Sequence, residues 1–121
     1  MSTILTVDDS ASIRTMIKVT LGPAGHTIVE AADGEEGLAR AKSQKIDLVI
    51  TDLNMPRMNG LAMIKALRAA AACVGVPIVF LTTESDPAMK QEAKAAGATG
   101  WLTKPFNADQ LLSIVNKLVR K

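Results

Sequence analysis

Short apolar runs with β character alternate with helix-period segments from one end of the chain to the other, and that alternation constrains the fold more than any other feature. The runs are Ile4–Val7, Thr27–Val29, Asp47–Ile50, Val76–Leu81 and Gly100–Leu102. Between them, Ile13, Met16, Ile17 and Leu21 form one apolar stripe, Leu61, Ile64 and Leu67 a second, and Leu111, Val115 and Leu118 a third. Asp33 with Glu36 and Asn107 with Gln110 have capping-box spacing, Asp86 before Pro87 reads as a cap followed by a first-turn proline, and Gly97 stands where a helix would stop. Five strands and five helices in strict alternation predict right-handed crossovers, a parallel sheet and helices on both faces, an α/β fold. The stretches 46–50 and 76–81 lack polar alternation, as strands covered on both sides do. The alanine-rich stretch 69–72 reads as the end of the third helix.

A length of 121 residues is one domain, expected to span 1–121. Aromatic residues are only 2% of the chain, so the core is expected to be built from Ile, Leu, Val, Met and Ala. Fourteen basic and twelve acidic residues leave +2, without the basic stripe of a nucleic-acid binder. The single cysteine, Cys73, excludes an internal disulfide and a cysteine metal knuckle, and the single histidine, His26, excludes a multi-histidine site. The longest uncharged stretch, Ala69 to Thr83, is 15 residues and contains Gly75 and Pro77, whereas a membrane span needs about 20. Asp8 and Asp9 arrive after only seven residues, unlike a secretory leader. The expectation is a soluble cytoplasmic protein.

All strands of a parallel sheet end at the same edge, and ligands bind in the crevice there. The first run is followed by Asp8 and Asp9, the third by Asp52, the fourth by Thr82 and Thr83, and the fifth by Thr103 and Lys104. The second run delivers none, as expected of a strand at the sheet's margin. Clustered carboxylates repel unless a cation joins them, and oxygen donors without histidine or cysteine select Mg²⁺, with Mn²⁺ the alternative. A lysine and a hydroxyl beside that ion suit a phosphoryl group, and a carboxylate between them is a nucleophile toward phosphorus. Each residue alone has a plainer reading. Asp8 and Asp9 suit a helix N-terminus, Asp52 a solvated loop, Thr82 a strand or a cap, and Lys104 the surface. Their convergence on one edge is what favours a metal–phosphate site.

The segments Val7-Asp8-Asp9-Ser10, Asp52-Leu53-Asn54-Met55-Pro56-Arg57-Met58-Asn59-Gly60, Leu81-Thr82-Thr83-Glu84 and Lys104-Pro105-Phe106 together resemble the receiver domain of bacterial response regulators. Within that family the resemblance is to stand-alone chemotaxis regulators of the CheY type. It implies a flavodoxin-like (βα)5 fold with strand order 2-1-3-4-5. It implies that Asp52 accepts a phosphoryl group from the phosphohistidine of a histidine kinase. Asp9, Asp52 and the backbone carbonyl of Asn54 would hold Mg²⁺, with Asp8 acting mostly through a bound water. Lys104 would pair with the phosphoryl oxygens and Thr82 would hydrogen-bond one of them. Pro105 would follow a cis peptide bond that aims Lys104 inward, and Pro56 and Gly60 would shape the loop after the nucleophile. Asn54 and Glu84 would orient a hydrolytic water and give a phosphoryl lifetime of seconds to minutes. In the family, the switch threonine moves toward the phosphoryl group and a ring, usually Tyr or Phe, turns into the space it leaves. Here those positions are Thr82 and Trp101. The partner-binding face of the fourth helix, fifth strand and fifth helix would include Lys90, Gln91, Trp101 and Lys117.

A haloacid-dehalogenase-type phosphatase also forms an aspartyl phosphate, but it usually places a second aspartate two residues after the first, where this chain has Asn54. A flavodoxin-like cofactor carrier would need backbone donors and glycine where Asp8-Asp9-Ser10 stands. A degenerate scaffold would not need the complete acidic set. The resemblance therefore implies a monomeric signalling protein, not an enzyme beyond its own phosphorylation and dephosphorylation, whose output is a protein surface. A flagellar motor switch protein is the first expected target. A phosphate sink or a phosphorelay intermediate sharing a kinase is the alternative. Cys73, His26 and the methionines are assigned no chemistry.

Overall fold

The computed structural model describes residues 2–52, 60–70, 75–82, 87–104 and 106–119. Its elements follow the alternation seen in the sequence. They are β1 (Thr3–Val7), α1 (Ala11–Leu21), a 3-10 turn (Gly22–Ala24), β2 (Thr27–Ala31), α2 (Gly34–Ser43), β3 (Leu48–Asp52), α3 (Gly60–Ala69), β4 (Ile78–Thr82), α4 (Pro87–Ala96), β5 (Gly100–Thr103) and α5 (Ala108–Val119). The five strands form one parallel sheet in the order β2-β1-β3-β4-β5, the flavodoxin-like topology the resemblance implies.

Side chains of a strand alternate between the two faces of the sheet, and the core divides accordingly. Leu5, Val49, Ile78 and Phe80 pack on one face with Met63, Ile64 and Leu67 of α3 and Ala41 of α2. Ile4, Leu48, Ile50, Val79 and Leu81 pack on the other with Ile17 and Leu21 of α1 and Leu111 and Val115 of α5. All five residues of both β3 and β4 are buried, which accounts for their unbroken apolar character. Burying each such Leu or Ile contributes about 1.5–3 kcal/mol. α2 seats closely on this frame at Gly37, where a Cβ would stand 2.8 Å from Val7 Cγ2 and 2.9 Å from Met63 Sδ.

The helix caps use the residues read from sequence. Asp33 Oδ1 accepts the Glu36 N–H (2.9 Å), and Glu36 Oε1 reaches back to the Ala32 N–H (2.8 Å). Asn107 and Gln110 form the reciprocal box, at 2.8 and 3.0 Å. After α4, Gly97 adopts φ 118°, and the Arg68 guanidinium grips its carbonyl at 3.0 and 2.8 Å. The Asp86 cap lies outside the described residues. Ala69 ends α3 and Ala70 closes it by donating to the Leu67 carbonyl, while Ala71 and Ala72 also fall outside.

Strand limits differ from the sequence expectation for local reasons. β4 begins at Ile78, not Val76. Pro77 has no N–H for the ladder and contributes only its carbonyl, to the Val49 N–H at 3.0 Å. β3 begins at Leu48, not Asp47, whose carboxylate turns to the Thr3 N–H at 2.8 Å. β2 runs on to Ala31. Asp52 and Thr82, expected just beyond their strands, are the last residues within them, paired in register with Leu81 and Thr103.

Candidate phosphoacceptor and metal site

β1, β3, β4 and β5 all deliver polar side chains to the C-terminal edge of the sheet. Asp8 and Asp9 follow Val7, Asp52 closes β3, Thr82 closes β4, and Lys104 follows Thr103. The Lys104 N–H donates to the Thr82 carbonyl at 2.8 Å, so the two strand ends are tied together before any side chain acts. Oxygens of Asp8, Asp9 and Asp52, one from each carboxylate, lie within 4.8 Å of one another. Lys104 Nζ stands 3.4 Å from Asp8 Oδ2 and 3.3 Å from Asp52 Oδ2.

Burial is uneven across the three acids. Asp8 is fully buried, Asp52 is nearly so, and Asp9 is exposed, which leaves the cluster open to solvent on one side. Asp8 is committed on both oxygens, accepting the Ser10 N–H at 2.9 Å on Oδ1 and facing Lys104 on Oδ2. Burial pushes its carboxyl above the ordinary value of 3.8, and the Asp52 charge adds to the rise. The Ser10 N–H and the Lys104 ammonium oppose it. Among the described residues, three carboxylates around one ammonium leave a concentrated negative charge that a hard cation would relieve. Octahedral Mg²⁺ holds its oxygens about 2.1 Å from the metal, hence about 3 to 4 Å from one another. The three carboxylates lie close enough together to share such an ion, directly or through water, and their all-oxygen chemistry fits it.

Thr82 is buried at the end of β4. Gly60 is buried at the start of α3. Asn54, Glu84 and Pro105, together with Pro56, Thr83 and Cys73, lie outside the described residues. Trp101 stands apart from the acidic cluster, on the outer strand β5. It is 38% exposed, stacks on Phe80 with centroids 6.1 Å apart, and carries Lys90 Nζ 4.8 Å above its ring. Lys90, Gln91, Lys94, Ala95 and Trp101 line a depression of about 500 Å³. Lys117, expected on the same partner face, lines a second depression formed by β5 and α5 with Leu102 and Ile114.

Two residues of this region were not legible in the sequence. Arg14 of α1 donates through Nη1 to the Asp8 carbonyl and through Nε to Glu30 Oε1 at 3.1 Å. β2, expected to bring nothing to this edge, thus supplies Glu30. Its Ala31 carbonyl also accepts the Asp8 N–H at 3.1 Å. A glutamate interrupting an apolar strand was the one available signal.

A doubly wound parallel sheet whose C-terminal edge gathers carboxylates, a lysine and a buried threonine defines the class, an α/β protein with its polar cluster where such sheets hold their ligands. The family model for the response regulator receiver domain matches residues 4–116, and the chain belongs to that family. The chain is similar to chemotaxis protein CheY4 of Vibrio cholerae, with 48% identity and a TM-score of 0.94 over 98% of each chain. It is 33% identical to protein PilH of Pseudomonas aeruginosa over 98% of both. It spans about half the length of other curated relatives, transcriptional regulators among them. A 27% identical receiver domain, from the Pseudomonas aeruginosa sensor histidine kinase PA1611, has a TM-score of 0.91 over 99% of this chain and 98% of its own. It carries a magnesium ion coordinated in its active-site cleft. Receiver domains bind Mg²⁺ at an acidic site, and this chain has an aspartate cluster at the corresponding edge. No described helix is long and apolar enough to cross a membrane.

Proposed function

We propose that the chain, a single receiver spanning 1–121, accepts a phosphoryl group on Asp52 from a histidine kinase in the cytoplasm. As a monomer, it then changes the surface it offers to a protein target and discharges itself. The observation that carries this reading is Lys104 Nζ, held 3.4 and 3.3 Å from Asp8 and Asp52 beside three converging carboxylates. An Asp52 carboxylate oxygen attacks the donor's phosphorus. The new O–P bond forms as the N–P bond breaks, and the imidazole nitrogen keeps the electron pair. Asp9, Asp52 and the Asn54 carbonyl would hold Mg²⁺, with Mn²⁺ the alternative and Asp8 acting through water. When bound, the ion neutralises charge on the transferring oxygens. Lys104, already beside Asp52, neutralises another of those oxygens, and the Thr82 hydroxyl donates to a third. Asn54 and Glu84 would orient the water that hydrolyses the acyl phosphate within seconds to minutes, Gly60 with Pro56 would shape the loop after Asp52, and Pro105 would aim Lys104 inward. Thr82 and Trp101 are the switch pair.

Similarity to chemotaxis protein CheY4 supports chemotaxis as the setting, and within that setting a flagellar motor switch protein is the target we propose. Intact mass after brief exposure to acetyl phosphate tests the chemistry. One phosphoryl group should add in the presence of Mg²⁺, none without it, and none to Asp52→Asn. Beryllofluoride, which mimics the group without hydrolysing, should bind wild type. Failure of both reagents would leave the fold without its proposed chemistry.

A further inference from the structure

We infer that Arg14 is a positioning residue for the metal site. Anchored on Glu30, it holds the peptide that joins Asp8 to Asp9 and so sets where the Asp9 carboxylate stands. The inference rests on reading Asp8, Asp9 and Asp52 as the Mg²⁺ site.

The three carboxylates are held by different means. Asp8 is fixed by the Ser10 N–H and Lys104, and Asp52 by its place inside β3 and by Lys104. Asp9 is exposed, and among the described residues its carboxylate has no hydrogen-bonding or ionic partner. Its position therefore depends on its backbone. A peptide unit is planar, so fixing the Asp8 carbonyl oxygen fixes the plane from which Asp9 projects. The Arg14 guanidinium does this, donating through Nη1 to that oxygen while Nε donates to Glu30 Oε1 at 3.1 Å. A rigid planar fork can serve two acceptors at once, which a lysine ammonium on a flexible stem does poorly. The Arg14 N–H in turn donates to the Ser10 carbonyl at 3.2 Å, and Ser10 Oγ caps the same helix. The first turn of α1, the guanidinium and the Asp8–Asp9 peptide thus close a small frame.

Glu30 has a second task in this arrangement. An unanchored guanidinium near three carboxylates would pair with one of them and compete with the metal. Glu30, opposite Thr6 in the sheet register and also 3.9 Å from Lys18 Nζ, holds Arg14 on the outer side of the cluster.

Position and charge predict opposite signs. Removing a positive charge near a cation site strengthens cation binding if only the field matters. Losing the frame weakens it, because partners that orient metal ligands are worth about tenfold or more in affinity. Magnesium chloride is titrated calorimetrically into the whole chain as wild type, Arg14→Met, Arg14→Lys and Glu30→Gln, with thermal melts of the metal-free proteins alongside. Arg14→Met should weaken Mg²⁺ binding about tenfold. Arg14→Lys, which restores the charge but not the fork, should recover only part of the loss, and Glu30→Gln should weaken binding about threefold. Binding that tightens in Arg14→Met and returns to wild type in Arg14→Lys would overturn the inference. So would an unchanged Kd accompanied by a lower melting point. If Arg14→Met does not fold, the other two variants decide, and wild-type Kd values in both would overturn it. A wild-type chain that takes up no Mg²⁺ would bring down the reading of the site itself, and the inference with it.

Discussion

The acidic edge of the sheet and the β5–α4 edge each set a lysine beside a group that attracts it, yet the two are built in opposite ways. Lys104 is 18% exposed and wedged between Asp8 and Asp52, whose side chains are 0% and 9% exposed. Lys90 lies over a tryptophan ring open to solvent on the outermost strand. Where water is excluded, a charge interacts strongly with its neighbours, and a misplaced one is costly. Where water has access, the same charge is screened and the contact is worth little. The first environment suits chemistry on a phosphoryl group. The second suits a surface whose side chains can rearrange at small cost. The connection between them is short. Phe80 in buried β4 stacks directly on Trp101, two residues before Thr82.

The largest effect that would test this contrast is expected at Lys104. Lys104→Met removes the ammonium that faces Asp8 and Asp52 and leaves the two buried carboxylates facing each other. Metal-free stability should fall by about 2–3 kcal/mol, somewhat below the cost of breaking a fully buried pair because Lys104 keeps some exposure. The rate of phosphorylation by acetyl phosphate should fall roughly 100-fold. Chemical denaturation and intact-mass time courses measure the two. A neutral result in both would mean that Lys104 is as loosely coupled as Lys90 and that the contrast is false.

A smaller effect should appear as a pH dependence. The Asp8 carboxyl is raised above 3.8, by burial first and by the Asp52 charge as well. Because its folded pKa exceeds its unfolded one, the native state keeps the proton longer as pH rises. Asp8's contribution to metal-free stability is therefore fully present below 3.8 and is lost as pH climbs through the raised value. The slope is at most about 1.4 kcal/mol per pH unit. Mg²⁺ competes with the same proton, so its affinity should increase across that window. Asp8→Asn should flatten the decline in stability. Retention of the wild-type slope in that variant would assign the titration to another group.

The acidic edge was legible in the sequence because parallel strands end together, so Asp8, Asp9, Asp52, Thr82 and Lys104 could be grouped by their positions after apolar runs. The Asp33–Glu36 and Asn107–Gln110 boxes were legible because a cap is local, fixed by a spacing of three residues. The strand order was not carried by periodicity and came with the family resemblance. Strand limits shifted at Asp47 and Pro77, where a side-chain hydrogen bond or a missing N–H outweighed apolar character. The Arg14–Glu30 pair was hidden because it joins a helix face to a strand that neighbours β1 only in space. The side of β5 that Trp101 faces was likewise a matter of packing.

The smallest effect should come from Lys90→Met, which keeps an apolar stem near the indole but removes the charge 4.8 Å from its centroid. A cation–π contact at an exposed site contributes about 0.5–1 kcal/mol, so stability should drop by no more than that. Because Trp101 is the sole tryptophan, its fluorescence reports on this edge of the sheet alone. Emission should change on losing the ammonium, while the rate of phosphorylation by acetyl phosphate should stay within about twofold of wild type, as expected for a screened surface charge. High salt should reduce the emission difference between wild type and variant, since an exposed charge is screened where a buried one is not. If Lys90→Met instead slowed phosphorylation as severely as Lys104→Met, the two lysines would belong to one electrostatic system. The stacking of Phe80 on Trp101 would then be the physical path to examine between the edge and the acidic cluster.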